Sequence, residues 1–153
     1  MNKIQPLLLF ILILILAGCY PPTTEGYYGA VKWVADGDTI KLANGEFVRY
    51  IGIDTPELNH KKGTPQYYAK EAKEFNEKLA SGKVVRLEFD AERRDKYGRL
   101  LAYVFVDDTF VNARLIEEGY AKLLTIPPNI KYADDLLKLQ REAKSERKGI
   151  WKE

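Results

Sequence analysis

Two hairpin signals, Asp36-Gly37 and Asn44-Gly45, stand eight residues apart between short runs of alternating apolar residues. No other feature restricts the fold as much, because Asp-Gly and Asn-Gly supply the left-handed backbone that two-residue hairpin turns demand. Residues 29–35 precede the first turn and carry Val31, Trp33 and Val34; residues 38–42 lie between the turns; residues 46–53 follow the second. The pattern predicts a three-stranded meander. A period of two places Asp38 on the face of Ile40 and Leu42, and Arg49 on the face of Phe47, Ile51 and Ile53. A charge on the apolar face of a strand needs a partner.

The rest of the chain adds two strands and three helices. Tyr68, Ala72, Phe75 and Leu79 recur at helical spacing, and Ser81-Gly82 closes that helix. Residues 84–90 form a fourth strand, with Val85, Leu87 and Phe89 on one parity. The charged turn Arg93-Arg94-Asp95-Lys96-Tyr97-Gly98-Arg99 leads into a fifth strand at 100–106. Asp107-Asp108 reads as one more turn rather than a metal site. A short helix spans 111–118 with Gly119 as its stop, Ile126-Pro127-Pro128-Asn129 is a rigid loop, and a last helix spans 131–148. That helix carries Tyr132, Leu136, Leu139 and Ala143 on one stripe, and Trp151 packs the chain end onto the core. The order predicts an α+β, mainly β fold: a five-stranded OB-type barrel with three packed helices.

The first residues read differently. Lys3 is followed by an unbroken apolar run at 7–16, short for a bilayer span but right for the apolar region of a signal peptide. It ends in Leu16-Ala17-Gly18-Cys19, in the order of a bacterial lipobox. The expectation is a lipoprotein signal peptide at 1–18, lipidation of Cys19, a tether at 19–27 and one domain at 28–153. The body is then extracytoplasmic, lipid-anchored to the cell membrane or the outer membrane. Cys19 is the only cysteine, so an internal disulfide and a cysteine zinc site are excluded.

The 135 residues after position 18 suffice for one core. Lys3 is the sole charge before that point, so 23 of the 24 basic residues remain against 22 acidic ones. That balance does not by itself argue for nucleic acid. Lys61-Lys62, Arg93-Arg94, Lys96 and Arg99 are the local basic clusters that could form a patch. Nothing argues for oligomerisation, and a monomer is expected.

The chemistry concentrates at residues 36–57. Asp38, Asp54 and Glu57 fall close to Arg49 on and around the meander. Converging carboxylates are costly unless a cation sits among them. An arginine beside them points to an anion that joins the metal, and together these are the parts for phosphodiester cleavage. Turn chemistry explains Asp36 but not Asp38, which already lies on the strand. Pro56 fixes the exit of the chain after Asp54-Thr55. His60, the only histidine, stands beside lysines in a loop and reads as solvated rather than catalytic.

Four segments together resemble the staphylococcal (micrococcal) nuclease, or thermonuclease, family. They are Asp36-Gly37-Asp38-Thr39, Arg49 with Asp54-Thr55-Pro56-Glu57, Asp95-Lys96-Tyr97-Gly98-Arg99, and Gly149-Ile150-Trp151. The resemblance implies calcium held by Asp38, Asp54 and the backbone carbonyl of Thr55. It implies Glu57 as the residue that positions or deprotonates the attacking water, and Arg49 and Arg99 on the phosphate. Lys96 and Tyr97 would contact a nucleotide's terminal phosphate, and Asp36 would stand behind the metal's water. The implied activity is a calcium-dependent endonuclease on DNA and RNA that leaves 3′-phosphates. One stretch departs from the family pattern: residues 123–128 hold no aromatic where the family stacks a base. A non-catalytic nucleic-acid-binding OB module would not need Asp38, Arg49, Asp54, Glu57 and Arg99 together. A surface lipoprotein binding calcium for structure would leave both arginines without a role.

Overall fold

A computed structural model of the protein describes residues 26–58 and 63–152. The apolar run, Cys19 and His60 lie outside the described residues. Eight strands are described: β1 (Tyr27–Asp36), β2 (Thr39–Leu42), β3 (Phe47–Tyr50), β4 (Gly52–Asp54), β5 (Val84–Glu88), β6 (Leu100–Val106), β7 (Thr109–Phe110) and β8 (Lys122–Leu124). The helices are α1 (Ala69–Ala80), α2 (Val111–Glu117) and α3 (Ala133–Ser145), followed by a 3-10 turn at Gly149–Trp151.

The meander folds as its turns dictate, with β1 antiparallel to β2 and β2 antiparallel to β3. β1 also pairs with β5, and β5 with β6. A parallel pairing of β3 with β6 closes the ring. The five strands β3-β2-β1-β5-β6 form the expected barrel, with β7 added at the edge of β6. Closure leaves no open edge in the ring. Ile40, Leu42, Val48, Tyr50, Val85 and Val104 fill it, each at most 1% exposed.

The helices close the barrel along the expected stripes. Ala72 and Ala80 of α1 are fully buried, with Phe75 and Leu79 packed beside them. In α3 Leu136 and Ala143 are buried, and Tyr132 and Leu139 pack against the core. This helix is shorter than expected because Arg147 enters the left-handed region at φ 51° and turns the chain into the 3-10 segment.

The third strand departs from expectation. It breaks at Ile51, and Gly52 adopts φ 80°. The break resets the alternation. Val48 and Tyr50 point into the core, so Arg49 lies on the opposite face and not with Ile51 and Ile53, which are also buried. The kink also turns β4 away to pair with β8. Its carbonyls do not go unpaired. Ile51 O accepts from the buried Asn112 Nδ2 at 2.8 Å, and Tyr50 O and Ile53 O accept from Arg49 Nη1 at 2.9 and 2.8 Å. A buried side chain and a guanidinium thus replace the lost ladder.

Asp90 fastens the start of α3 to the barrel. Its carboxylate accepts from Lys131 N at 3.0 Å, Tyr103 Oη at 3.0 Å and Ala91 N at 2.9 Å. Burial pushes this carboxyl up, but these donors outweigh it and hold it below the usual aspartate value. A depressed folded-state pKa contributes stability above the unfolded value, near 3.9, and loses it as pH falls through the folded value. Asp90→Asn is therefore expected to cost about 1 kcal/mol at pH 7, a small figure because the group is partly solvated. The cost should shrink as pH falls below about 4 in urea unfolding. A cost that persists undiminished there would mean that Asp90 acts through shape rather than charge.

Candidate active site

Strand register builds the site. Thr39 pairs with Arg49, and Tyr50 N donates to Asp38 O at 2.9 Å, so the first hairpin turn lies against the start of the kink. Asp38 is buried, 5% exposed. Its Oδ2 accepts from Thr55 N at 2.8 Å and Thr55 Oγ1 at 3.0 Å, and its Oδ1 from Thr39 Oγ1 at 3.1 Å. Arg49 Nη2 stands 3.2 Å from Asp38 Oδ2 and 2.9 Å from Asp54 Oδ1. One guanidinium therefore joins the two carboxylates while its other terminal nitrogen ties down the kink. The pairing expected for a charge on this strand is present, on the face opposite to the predicted one.

Asp36 Oδ1 accepts from Asp38 N at 3.2 Å. Burial, and then the nearby Asp38 carboxylate, raise the Asp36 carboxyl to about 6. Asp54 is raised as well, by burial first, with Arg49 and Lys122 opposing. Both shifts come from burial first, with the Asp38 carboxylate adding to each. The donor set for a cation is Asp38, the half-exposed Asp54 and Thr55, whose carbonyl oxygen accepts no hydrogen bond among the described residues. It is all oxygen, which suits a hard divalent ion that keeps several waters. Among the described residues, no group of three or more His, Cys, Asp or Glu converges as a ready-made metal site.

Glu57 is exposed. Its backbone is clamped by Gln66: Glu57 N donates to Gln66 Oε1 at 2.7 Å, and Gln66 N donates to Glu57 O at 2.9 Å. The charged turn is organised by Asp95, which the sequence reading quoted but gave no role. Asp95 Oδ1 accepts from Tyr97 N and Arg99 N at 2.9 and 3.0 Å, and Oδ2 accepts from Arg99 Nε at 2.7 Å. Such side-chain-to-backbone bonds are the signature of an Asx turn, and they were the available signal. Both terminal nitrogens of Arg99 have no hydrogen-bond partner among the described residues. Tyr97 is 73% exposed, with Lys96 Nζ 5.1 Å and Arg99 Cζ 5.6 Å from its ring centre.

A cleft of about 420 Å³ is lined by Arg49, Asp95, Lys96, Tyr97 and Arg99, together with Leu124 and Ile126; Asp38, Asp54 and Glu57 are not among its lining residues. Two clamps hold its walls. Glu92 N donates to Asn129 Oδ1 at 2.8 Å and Asn129 Nδ2 to Glu92 O at 2.9 Å, joining the loop after β8 to the charged turn. Asn76, fully buried in α1, donates to Asp36 O at 3.1 Å and accepts from Tyr50 Oη at 2.9 Å. Neither asparagine carries a local sequence signal, because its partners lie 26 to 40 residues away.

Comparison with known proteins places this geometry. The family model described as staphylococcal nuclease homologue matches residues 47–153. The chain is 46% identical over 124 residues to a thermonuclease of Staphylococcus intermedius, covering 79% of this chain and 74% of that protein. It is 46% identical over 121 residues to the SPbeta prophage-derived endonuclease YokF of Bacillus subtilis, and 45% identical over 121 residues to endonuclease YncB of the same organism. Each of those alignments covers 76% of this chain, but they span only 41% and 57% of the two Bacillus proteins. The barrel, the family match and the level of identity agree: the chain belongs to the staphylococcal nuclease homologue family.

Proposed function

We propose that the chain is a calcium-dependent endonuclease that hydrolyses phosphodiester bonds of DNA and RNA and leaves 3′-phosphates. The observation that carries the reading is the hub at which Arg49 joins Asp38 to Asp54 on the rim of the cleft that holds Arg99. Asp38, Asp54 and the Thr55 carbonyl would hold the ion, which supplies polarisation of a phosphoryl oxygen and neutralises charge built up by attack. Arg99 offers its two terminal nitrogens as a fork to the phosphate, oriented by Asp95 through Nε. Arg49, fixed at Nη1, offers a second cation at the same place. Glu57 orients the attacking water and takes its proton, and Gln66 holds the backbone from which Glu57 projects. Asp36 stands behind the metal's water. Lys96 and Tyr97 receive the neighbouring phosphate.

The test is cleavage of single-stranded DNA by a form beginning at Tyr20, in about 5 mM calcium, above the range of typical extracellular sites, and again in chelator. Calcium should be required, and Glu57→Gln should lower kcat about 10²–10⁴-fold, as expected for a lost general base. Binding without cleavage, indifferent to calcium, would sink the enzyme and leave a non-catalytic OB module. The same titration should stabilise the fold: at ten times its Kd, calcium adds about 1.4 kcal/mol. Thermal melts in calcium and in chelator measure that difference. Calcium that raises the melting point but supports no cleavage would point to a structural ion.

The location belongs to the same proposal. A monomer, lipidated at Cys19 and held outside the cytoplasmic membrane, would meet calcium and foreign nucleic acid together. Fatty-acid labelling that survives Cys19→Ser would remove the anchor from this picture.

A further inference from the structure

Asp54 lines a second cleft and pairs at 2.9 Å with Arg49, which lines the first. The first holds Arg49, Arg99 and Tyr97. The second, about 550 Å³, is lined by Asp54, Thr55, Gln66, Tyr67, Lys122 and Trp151. We propose that this second cleft is a nucleotide subsite, which takes the base and flanking phosphate on the side of the scissile bond away from Tyr97. The proposal rests on the endonuclease reading, because a strand cut internally must continue past the reacting phosphate in both directions.

Sites for single strands combine aromatic faces for bases with cations for the backbone. Tyr67 supplies the face. It is 55% exposed, and its ring is fixed by an edge contact with Tyr68, centre to centre 4.7 Å at 69°. Lys122 supplies the cation. The β4–β8 register places it directly across from Asp54, and it is close enough to act on that carboxyl. Trp151 also lines the cleft, with Lys122 Nζ and Lys144 Nζ over its ring at 5.9 and 4.4 Å. The cleft volume falls in the range usual for small-ligand sites.

Two further observations favour a substrate role over simple surface relief. In the first cleft the wall formed by Leu124 and Ile126 is aliphatic, whereas the second cleft carries the rings of Tyr67 and Trp151. Gln66 lines the second cleft and also clamps the backbone of Glu57, so a nucleotide seated there contacts the support of the proposed base. Occupancy should therefore improve kcat as well as KM.

The test uses the full chain in mild detergent and short oligothymidylates. Each has one natural phosphodiester and phosphorothioates elsewhere, and is lengthened by one residue at either end. Cleavage is read in calcium; binding of all-phosphorothioate oligomers is read in chelator by anisotropy. Extension toward the second cleft should raise kcat/KM and affinity about tenfold, the size of one stacked base. Tyr67→Ala should abolish that gain and Tyr67→Phe should keep it. Neither should alter the gain from extension toward Tyr97. Lys122→Met should lower the salt slope of binding by about 0.7, one single-strand phosphate contact.

A gain that survives both Tyr67→Ala and Lys122→Met, or no gain on that side in the wild type, overturns the subsite even if cleavage is brisk. Binding that shows the Tyr67-dependent gain while no oligomer is cut supports the subsite and defeats the endonuclease reading instead.

Discussion

Arg49→Ala is expected to lower cleavage of single-stranded DNA about 10³-fold, the upper range for one preorganised donor, and to destabilise the metal-free protein by about 3–5 kcal/mol, as for a broken buried pair. Both losses come from one side chain because Arg49 has two tasks. Its Nη1 satisfies Tyr50 O and Ile53 O across the kink, and its Nη2 balances Asp38 and Asp54. Alanine leaves two carbonyls and a buried carboxylate without that donor. Arg49→Lys should recover part of the stability and little of the activity, because one ammonium cannot serve acceptors on both sides of the kink at once. The two effects separate experimentally. Urea unfolding in chelator reads the structural loss; single-turnover cleavage at saturating calcium, on variant shown to be folded, reads the catalytic one. Calcium should also stabilise Arg49→Ala more than the wild type, because the ion becomes the main countercharge for the two aspartates. Wild-type stability in chelator would remove Arg49 from the centre of the fold. Wild-type turnover would remove it from the chemistry.

Arg49 also shows where sequence reading stops. The hairpins at Asp36-Gly37 and Asn44-Gly45 were legible because the turn residues and the flanking alternation are local. The helical stripes were legible for the same reason. So was the meeting of Asp38, Arg49 and Asp54, since a meander must bring its turns and strand ends together; Glu57, expected with them, shares no hydrogen bond or ion pair with them among the described residues. The face of Arg49 was not legible. Alternation extrapolated through residues 46–53 assumes an unbroken strand, and Gly52 breaks it at φ 80°. The break is stabilised from outside: Asn112 reaches Ile51 O from 61 residues away. Strands β4 and β8 were invisible for a related reason. Each has three residues and exists only because the other is there. The clamps Asn76, Asn129 and Gln66 each bear on the site through two hydrogen bonds to partners 9 to 40 residues away, and an asparagine or glutamine in sequence looks the same whether clamped or solvated. By contrast Arg99 came from the family resemblance, and the Asp95 bonds that orient it, although they span only four residues, went unread.

Gly149→Ala is expected to destabilise the protein by about 2–5 kcal/mol, combining left-handed backbone with overpacking. Gly149 sits at φ 51° and Gly119 at φ 72°, and the two backbones cross in contact. A Cβ on Gly149 would run into the carbonyl oxygen of Gly119, and one on Gly119 would stand 2.6 Å from the carbonyl carbon of Lys148. Neither obstacle is a side chain that can swing aside. The crossing is sealed by Ile150 N donating to Gly119 O at 2.8 Å. It joins the stop of α2 to the turn that carries Trp151, so it holds the chain end on the barrel. Gly82→Ala is the control: Gly82 has φ 69° but open space around it, so it should cost only the backbone term, about 1–2 kcal/mol. The difference between the two substitutions in urea unfolding isolates the close approach from the backbone conformation. Because Trp151 walls the second cleft, Gly149→Ala should also weaken oligonucleotide binding on that side at temperatures where the barrel is still folded. Equal costs for the two alanines would mean that the crossing yields easily, and that Trp151 is held by its own packing instead.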